Sequence, residues 1–450
     1  MPVSAVSIGL SGIYAAEAQI TAIESNITNA SNPNYSVESV DLRANAGFGG
    51  VGDGVQVLGT VRAAAPYLST EINSTQSIDS YNQAFSGATT AAQQILAPSS
   101  GNDLSSTIQS LFNAFTNLSA SPADPTARSA AISAIGQFAQ VDQSISSNLA
   151  SIATGQYSQV SSLVAQINQA TSQVAQLNAQ IIAVVANGQS GAALLDQRDG
   201  LVNQLAGLVG ATGDSQGNVA VGGVPLVAGT SALTLTTVGA GTFLSLQDNL
   251  ANGSLPVNAS QIGGTLGGLL AGAASVGQLQ AQVNGLASSL ATALNTQAAS
   301  GYGLDGSTGT ALFTVSGSGG PIAVNPALTD QNLGASATAS GLPGDGSNAT
   351  SLAALANNPG LFTAFPNSTP VQAFSQLTSS FGTAVANANN SQQEAAASLQ
   401  SLTQLKGSIT GVSLNDQLSK LIEFQKVLEA CGRAVQAAND ITTFLIQNLN

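Results

Sequence analysis

The chain has 450 residues and a formal net charge of −14; 7% of its residues are charged, 43% are hydrophobic, and it has one Cys, no His and no Trp. Without His, Ser-His-Asp and Cys-His nucleophile systems are excluded, and a single Cys excludes an internal disulfide framework or a Cys-based metal cluster. Eight scattered basic residues do not form the basic patch that nucleic acid requires, while the length and the ordinary apolar fraction suit a folded protein of two or three domains.

The first long element is a helix. Ile13, Ala16, Ile20, Ile23, Ile27 and Ala30 alternate spacings of three and four, the pattern of a helix burying a narrow seam against another. Glu17 and Glu24 lie beside the seam, and Asn32-Pro33 predicts its end, because Pro cannot continue a helix and restricts the residue before it. From Phe48 the text is Gly-rich and then alternates, predicting a loop and a short strand or hairpin. Gly47-x-Gly49-x-x-Gly52 matches a dinucleotide fingerprint only formally, since a strand-like run follows it where a helix should open.

Helix is predicted from Pro66 to about Ala97, with Pro98-Ser-Ser-Gly101 as a break, and again from Asp103 to Leu118. Leu104, Ile108, Leu111, Phe112, Phe115 and Leu118 share one face of the second. The clearest long helix spans about Thr126 to Val185, with Gly155 as a candidate bend and Val160, Leu163, Ile167, Ala170, Val174, Leu177, Ile181 and Val184 on its apolar face. A shorter helix over LLDQRDGLVNQLAGLVG follows. From Gly213 the period becomes two, predicting strands joined by Gly turns. Helix returns over Ile262 to Thr296. A second loop-rich, strand-like block covers Gly301 to Gly346, and helix dominates from Pro370 to the end, interrupted by Gly407 and Gly411.

The last stretch echoes the first. Leu414, Leu421, Leu428, Val435 and Leu449 are spaced by sevens or multiples of seven, with Phe424, Cys431, Ala438 and Leu445 as a second row. Two terminal seams predict a chain whose ends pair. Spacing alone fits a private intramolecular hairpin and an assembly surface equally. No cleavable signal peptide is visible, and the uncharged run Ile262 to Leu279 holds six glycines, leaving too few apolar residues for a span. Membrane insertion and bound cofactors or metals are not expected.

Chemistry has few candidates. Asp196-Gln-Arg198-Asp199 is the best acidic cluster. It reads either as a carboxylate pair for a cation or acid/base work or, the favoured reading, as helix-surface charges with local Arg pairing. Asp305 and Asp345 sit beside Gly, and Asp248 beside Asn249, in turns, where Asp bonds its own backbone. The fold class is mainly α with inserted β: an elongated, discontinuous helical bundle with paired terminal helices and a β-rich outer domain. The expected division is 1–45 and 407–450 as terminal assembly helices; 46–211, 262–300 and 347–406 as helical bundle; 212–261 and 301–346 as the β-rich domain.

Leu10 through Asn26-Ile-Thr-Asn-Ala-Ser-Asn-Pro-Asn-Tyr-Ser36 resembles the N-terminal signature of the rod, hook and hook-associated axial proteins of the bacterial flagellum. Gly411-Val-Ser-Leu-Asn-Asp416, Leu421-Ile-Glu-Phe-Gln-Lys426 and Ala434-Val-Gln-Ala-Ala-Asn439 resemble their C-terminal helix. Leu177-Asn-Ala-Gln-Ile181, Leu194-Leu-Asp-Gln-Arg-Asp199, Gly263-Gly-Thr-Leu-Gly-Gly268, Asn295, Asp305-Gly306 and Val324-Asn-Pro-Ala-Leu328 narrow the resemblance to the hook-associated, junction-forming branch. Asn34 stands where that family usually has Gly, and Val37-Glu38 where it has Arg-Gln; Asn tolerates the left-handed turn a Gly serves.

The resemblance implies a structural role without enzymatic activity: a ring of identical subunits between hook protein on one side and a second junction protein and filament proteins on the other. It implies an extracellular place at the hook–filament junction, export by the type III apparatus without a cleaved signal, and a cytoplasmic export chaperone on the C-terminal helix at Leu414, Leu421, Phe424 and Leu428. The implied assembly residues are Ile13, Ile20, Ile23, Asn26, Ile27, Asn29, Pro33 and Tyr35 with Leu414, Leu421, Phe424, Leu428, Val435 and Leu445. The alternatives are another axial part, such as hook protein or a flagellin-like subunit, and a secreted hydrolase using Asp196 and Asp199.

Overall fold

A computed structural model of the protein describes residues 2–45, 52–97, 103–238, 243–247, 254–257, 259–316 and 319–448. Gly47 and Gly49 of the formal fingerprint, the Pro98–Gly101 break, Asp248 and Leu449 lie outside the described residues. The fold is mainly α with inserted β. The helices are α1 (Pro2–Thr28), α2 (Pro66–Leu96), α3 (Leu104–Ala120), α4 (Pro125–Ala186), α5 (Ala192–Val209), α6 (Gly264–Ala299), α7 (Ser347–Ala354), α8 (Pro370–Thr410) and α9 (Leu414–Asn448). The long helix α4 runs unbroken through Gly155, and α8 runs unbroken through Gly407. Helix α1 stops at Thr28, before the Asn32-Pro33 signal.

Two compact units result: Met1–Ser80, Leu163–Gly264 and Gln393–Asn450 form the first, Tyr81–Ser162 and Thr265–Gln392 the second. This division differs from the one expected from the sequence. The 212–261 block falls with the terminal helices, and the 301–346 block falls in the helical unit. The reason lies in the second block's side chains. Its strands β10 (Phe313–Thr314) and β11 (Ala323–Val324) are two residues each, while Leu312, Phe313, Ile322, Leu333 and Ala335 are buried in the core that α3, α4 and α6 supply.

In the first unit, strands β1 (Glu38–Ala44) and β2 (Val55–Arg62) form an antiparallel hairpin with a register shift at Asp41/Leu42. The boundary expected at residue 45 therefore cuts between two paired strands. Strands β3 (Thr212–Gly213), β4 (Val219–Val221), β5 (Val224–Ala228) and β6 (Ser231–Ala232) make one sheet; β7 (Thr234–Val238), β8 (Phe243–Gln247) and β9 (Ser254–Val257) make another. Gly222 and Gly223 join β4 to β5 with φ of 54° and 82°, the left-handed pair that a two-residue hairpin turn demands.

The second unit is a helical core. All six apolar residues expected on the face of α3 are buried, and the Asp103 carboxylate caps that helix by accepting from the Ser106 N–H at 3.0 Å. Phe138 of α4 meets Phe313 edge-on, with ring centroids 5.7 Å apart. The uncharged run Ile262–Leu279 belongs largely to α6, where Leu266, Leu269, Val276 and Leu279 are buried.

Asp142 is fully buried in this unit; Oδ2 accepts the Ile322 N–H at 2.9 Å, and Oδ1 has no partner. Burial pushes its carboxyl up to about 6, against the Ile322 N–H, which lowers it. A carboxyl raised in the folded state contributes stability below its unfolded value and loses it as pH rises through the folded value. The second unit should therefore lose roughly 3 kcal/mol between about pH 4 and pH 7. Urea titrations should show Asp142→Asn flattening that fall and exceeding the native chain in stability at pH 7.5. A parallel pH dependence in both proteins would contradict this.

Candidate assembly interface

The first unit pairs its two terminal helices antiparallel. On α9, Gln417, Leu421, Phe424, Leu428, Cys431, Val435, Ala438 and Thr442 are spaced by alternating fours and threes and are its buried or half-buried stripe. On α1, the facing stripe includes Gly9, Gly12, Ala16, Ile23 and Asn26. Three contacts mark the observed pairing. A Cβ on Gly9 would lie 2.5 Å from Val435 Cγ2, a Cβ on Gly12 would lie 2.8 Å from Cys431 Sγ, and Asn26 Nδ2 donates to Gln417 Oε1 at 3.1 Å. Missing side chains on α1 thus let the α9 side chains come close.

The other flank of α1 meets the hairpin, with Ser11 Oγ accepting the Val55 N–H at 3.1 Å. A Leu at position 12 overpacks the notch, at a cost of about 1–3 kcal/mol. Gly12→Leu should speed amide exchange across α1 and α9. Gly155→Ala, in open space on α4, should instead stabilise by about 0.5–1 kcal/mol, because Gly disfavours helix. Equal effects would refute the notch.

A buried polar joint closes the lower end of the pair. Asn26 Oδ1 accepts the Glu38 N–H at 2.8 Å and the Tyr35 hydroxyl at 2.9 Å, and its Nδ2 also donates to the Glu38 carbonyl at 2.8 Å. Tyr35 has its pKa raised chiefly by burial. Val37 N–H donates to the Thr410 carbonyl at the end of α8, at 2.8 Å, so the segment after α1 is also tied to the segment before α9.

Behind it sits a charged joint. Arg62 Nη1 donates to Asp196 Oδ1 and Nη2 to Asp199 Oδ2, both at 2.6 Å, while Asp196 Oδ2 accepts the Ser36 N–H at 3.0 Å. Asp196 is buried, and Arg198 lies 3.8 Å from Asp199. The expectation of helix-surface charges paired by the local Arg is therefore corrected: the principal cation comes from β2, and the Asp196 carboxylate is interior. Burial opposes the Arg62 charge, but Asp199 and Asp196 together hold its pKa above the ordinary value. Burial first, then Asp196, pushes the Glu38 carboxyl up.

The residues expected at the interface fall into distinct places. Ile23 and Asn26 are buried; Ile13, Ile20 and Ile27 are half-buried; Asn29 bonds the Ser25 carbonyl of its own helix at 2.9 Å; Pro33 is exposed in the turn. Leu421, Phe424, Leu428 and Val435 lie in the α1-facing stripe, while Leu414 and Leu445 lie exposed outside it. Sequence reasoning missed Gln417, a polar residue one turn before Leu421 on the heptad row, and it missed Arg62. The outer side of the pair stays apolar: Leu10 and Tyr14 on α1, and Leu414, Leu418, Ile422 (56% exposed), Ile441 and Phe444 (65% exposed) on α9. Ala5–Thr28 is also, among the described residues, the helix long and apolar enough by length and composition to cross a membrane; its buried side packs on α9 and the hairpin.

The chain matches the flagellar hook-associated protein FlgK helical domain over residues 89–313. It is 31% identical to flagellar hook-associated protein 1 of Salmonella typhimurium over 341 residues, which cover 69% of this chain and 59% of that protein. Against the Escherichia coli (strain K12) protein of the same name the identity is 28%, covering 69% of this chain and 60% of that one. The chain thus spans about 59% of the length of the curated relatives it matches. The structure of the flagellar hook junction protein FlgK from Burkholderia pseudomallei shares the fold, with a TM-score of 0.65 and 18% identity over 76% of this chain and 100% of that one. With the helical-domain match spanning half of its 450 residues, the chain belongs to the flagellar hook-associated protein FlgK family.

Proposed function

We propose that this protein is a structural subunit of the bacterial flagellum that assembles, through its terminal helices, into the junction between hook and filament. The observation that carries the reading is the terminal pair, whose inner stripe is closed while its outer side keeps Leu414, Leu418, Ile422, Ile441 and Phe444 in solvent. Leu414, Leu418 and Ile422 follow one another at four-residue spacing on α9, an exposed apolar row of the kind that marks an interaction site, and copies of the same chain supply a matching apolar surface. Low charge lets such copies approach with little repulsion. In this reading identical subunits form the ring, hook protein lies on one side, and a second junction protein and filament proteins lie on the other. The chain reaches the cell exterior without a cleaved signal, and a cytoplasmic export chaperone holds the apolar side of α9 beforehand. The engagement of both Asp196 and Asp199 by Arg62 favours a structural over a hydrolytic use of that pair.

The test is Leu418→Ser with Ile422→Ser, two exposed positions whose change leaves the α1-facing stripe intact. Cells carrying it in place of the native chain should build hooks and shed filament subunits into the medium. Normal filaments on those cells would overturn the proposal.

A further inference from the structure

The apolar stripe of α9 repeats every seven residues, with Leu421, Leu428 and Val435 in one row and Phe424, Cys431 and Ala438 in the other. A repeat of this kind is satisfied nearly as well after a slip of one heptad, because each row meets a similar side chain one step along. Something other than apolar contact has to choose the register. Among the described residues, the buried polar residues of α1 and α9 are Asn26 (1% exposed) and Gln417 (3% exposed), and they bond each other at 3.1 Å.

We propose that the Asn26–Gln417 amide pair is the register pin of the terminal helices. In the observed register Gly12 faces Cys431 and Gly9 faces Val435. Sliding α9 by seven residues one way sets Asn26 against Phe424; sliding it the other way sets Asn26 against Thr410, ahead of α9. Either slip separates the two amides. The Gln417 amide and the second Asn26 Nδ2 hydrogen, buried without this partner, carry a desolvation cost, whereas the apolar rows lose little. The pin also has a fixed base: the other bonds of Asn26, to Glu38 and Tyr35, hold its side chain in one orientation before Gln417 arrives. Asn26 is therefore a positioning residue for the assembly surface. It sets which α9 side chains stand outward beside Leu10 and Tyr14. The inference concerns pairing within one chain and holds whether or not the proposed ring exists.

Cys431 is the chain's single Cys, so engineered cysteines report register directly. In the full-length chain under mild oxidation, Gly12→Cys should crosslink to Cys431, while Gln19→Cys and Ala5→Cys, which face Cys431 only after a slip of one heptad either way, should not. Gln417→Met, near in size and apolar, should raise crosslinking at position 19 or 5 about tenfold, the factor matching a modest loss of discrimination. Asn26→Leu with Gln417→Met should raise it further. If positions 19 and 5 stay unreactive in Gln417→Met while position 12 crosslinks fully, the glycine notches set the register and the proposal falls. It also falls if Gln417→Met keeps its helix content by circular dichroism yet crosslinks at none of the three positions, because the amides would then hold the pair together without choosing among registers. Filament attachment does not enter these readouts, so their failure is distinct from failure of the junction role.

Discussion

Arg62→Met is expected to destabilise the joint between the hairpin and α5 by about 3 kcal/mol, because it strips the cation from a buried carboxylate. Asp196 is interior and takes its charge compensation from Arg62 Nη1 at 2.6 Å. Its other oxygen is committed to the Ser36 N–H. The second carboxylate, Asp199, is 42% exposed, and water compensates it, so its bond to Arg62 adds little. The loss concentrates on Asp196 and on what Asp196 holds, namely the segment between α1 and β1. In hydrogen exchange, amides of Ser36–Ala44 and of β2 should exchange about 100-fold faster, with α3 unchanged. Asp196→Asn in the Arg62→Met background should recover part of the loss, since a neutral amide can still accept from Ser36 without a stranded charge. A double variant as unstable as Arg62→Met alone would mean that the lost packing of the Arg stem, not the charge, dominated.

How far the sequence reached differs by element, for physical reasons. The helices were legible because their apolar positions recur with the helical period over many turns: α3 buries every residue its spacing assigns, and α4 does the same from Val160 to Leu177. The pairing of the ends was legible as two seams. The contact stripe of α1 was not. Apolar spacing points to Ile13, Ile20 and Ile27, whereas close approach uses the absence of side chains at Gly9 and Gly12. The strand β1 escapes the sequence because it belongs to a two-stranded ribbon that buries Val40 alone of its seven residues. Arg62, Asp196 and Ser36 could not be joined by spacing, since they lie 134 and 160 residues apart. One signal was available: in a chain with eight basic residues, an Arg ending an apolar strand asks for a carboxylate partner. The 301–346 block misled for the opposite reason. Its Gly-punctuated apolar dipeptides resemble short strands, and they are anchors that drop a loop into a helical core.

Arg128→Met is expected to have the larger effect, about 3–5 kcal/mol on the second unit. Arg128 is 1% exposed, at the start of α4. Its guanidinium donates through Nη1 to the Pro122 carbonyl at 2.8 Å, through Nε to the Asp330 carbonyl and through Nη2 to the Leu333 carbonyl. Burial lowers its pKa, and the nearby Asp330 and Asp305 act in the opposite sense. One side chain thus closes the α3–α4 turn and clasps the loop that leads to the buried Leu333, Ala335 and Ser336. Met fills similar volume but donates nothing, leaving three carbonyls without this donor, each costing about 1–3 kcal/mol where water cannot reach. Lys keeps the charge, but its single ammonium cannot reproduce a planar fork that spans three acceptors. Arg128→Lys should therefore recover less than half of the loss. Urea unfolding of the three proteins measures this, with hydrogen exchange assigning the loss to residues 301–336 and the α3–α4 turn. A cost below about 1 kcal/mol for Met, the scale of an ordinary hydrogen bond, would show that the loop stays seated by Leu333 and Phe313 alone, with the guanidinium a passenger in a core already closed.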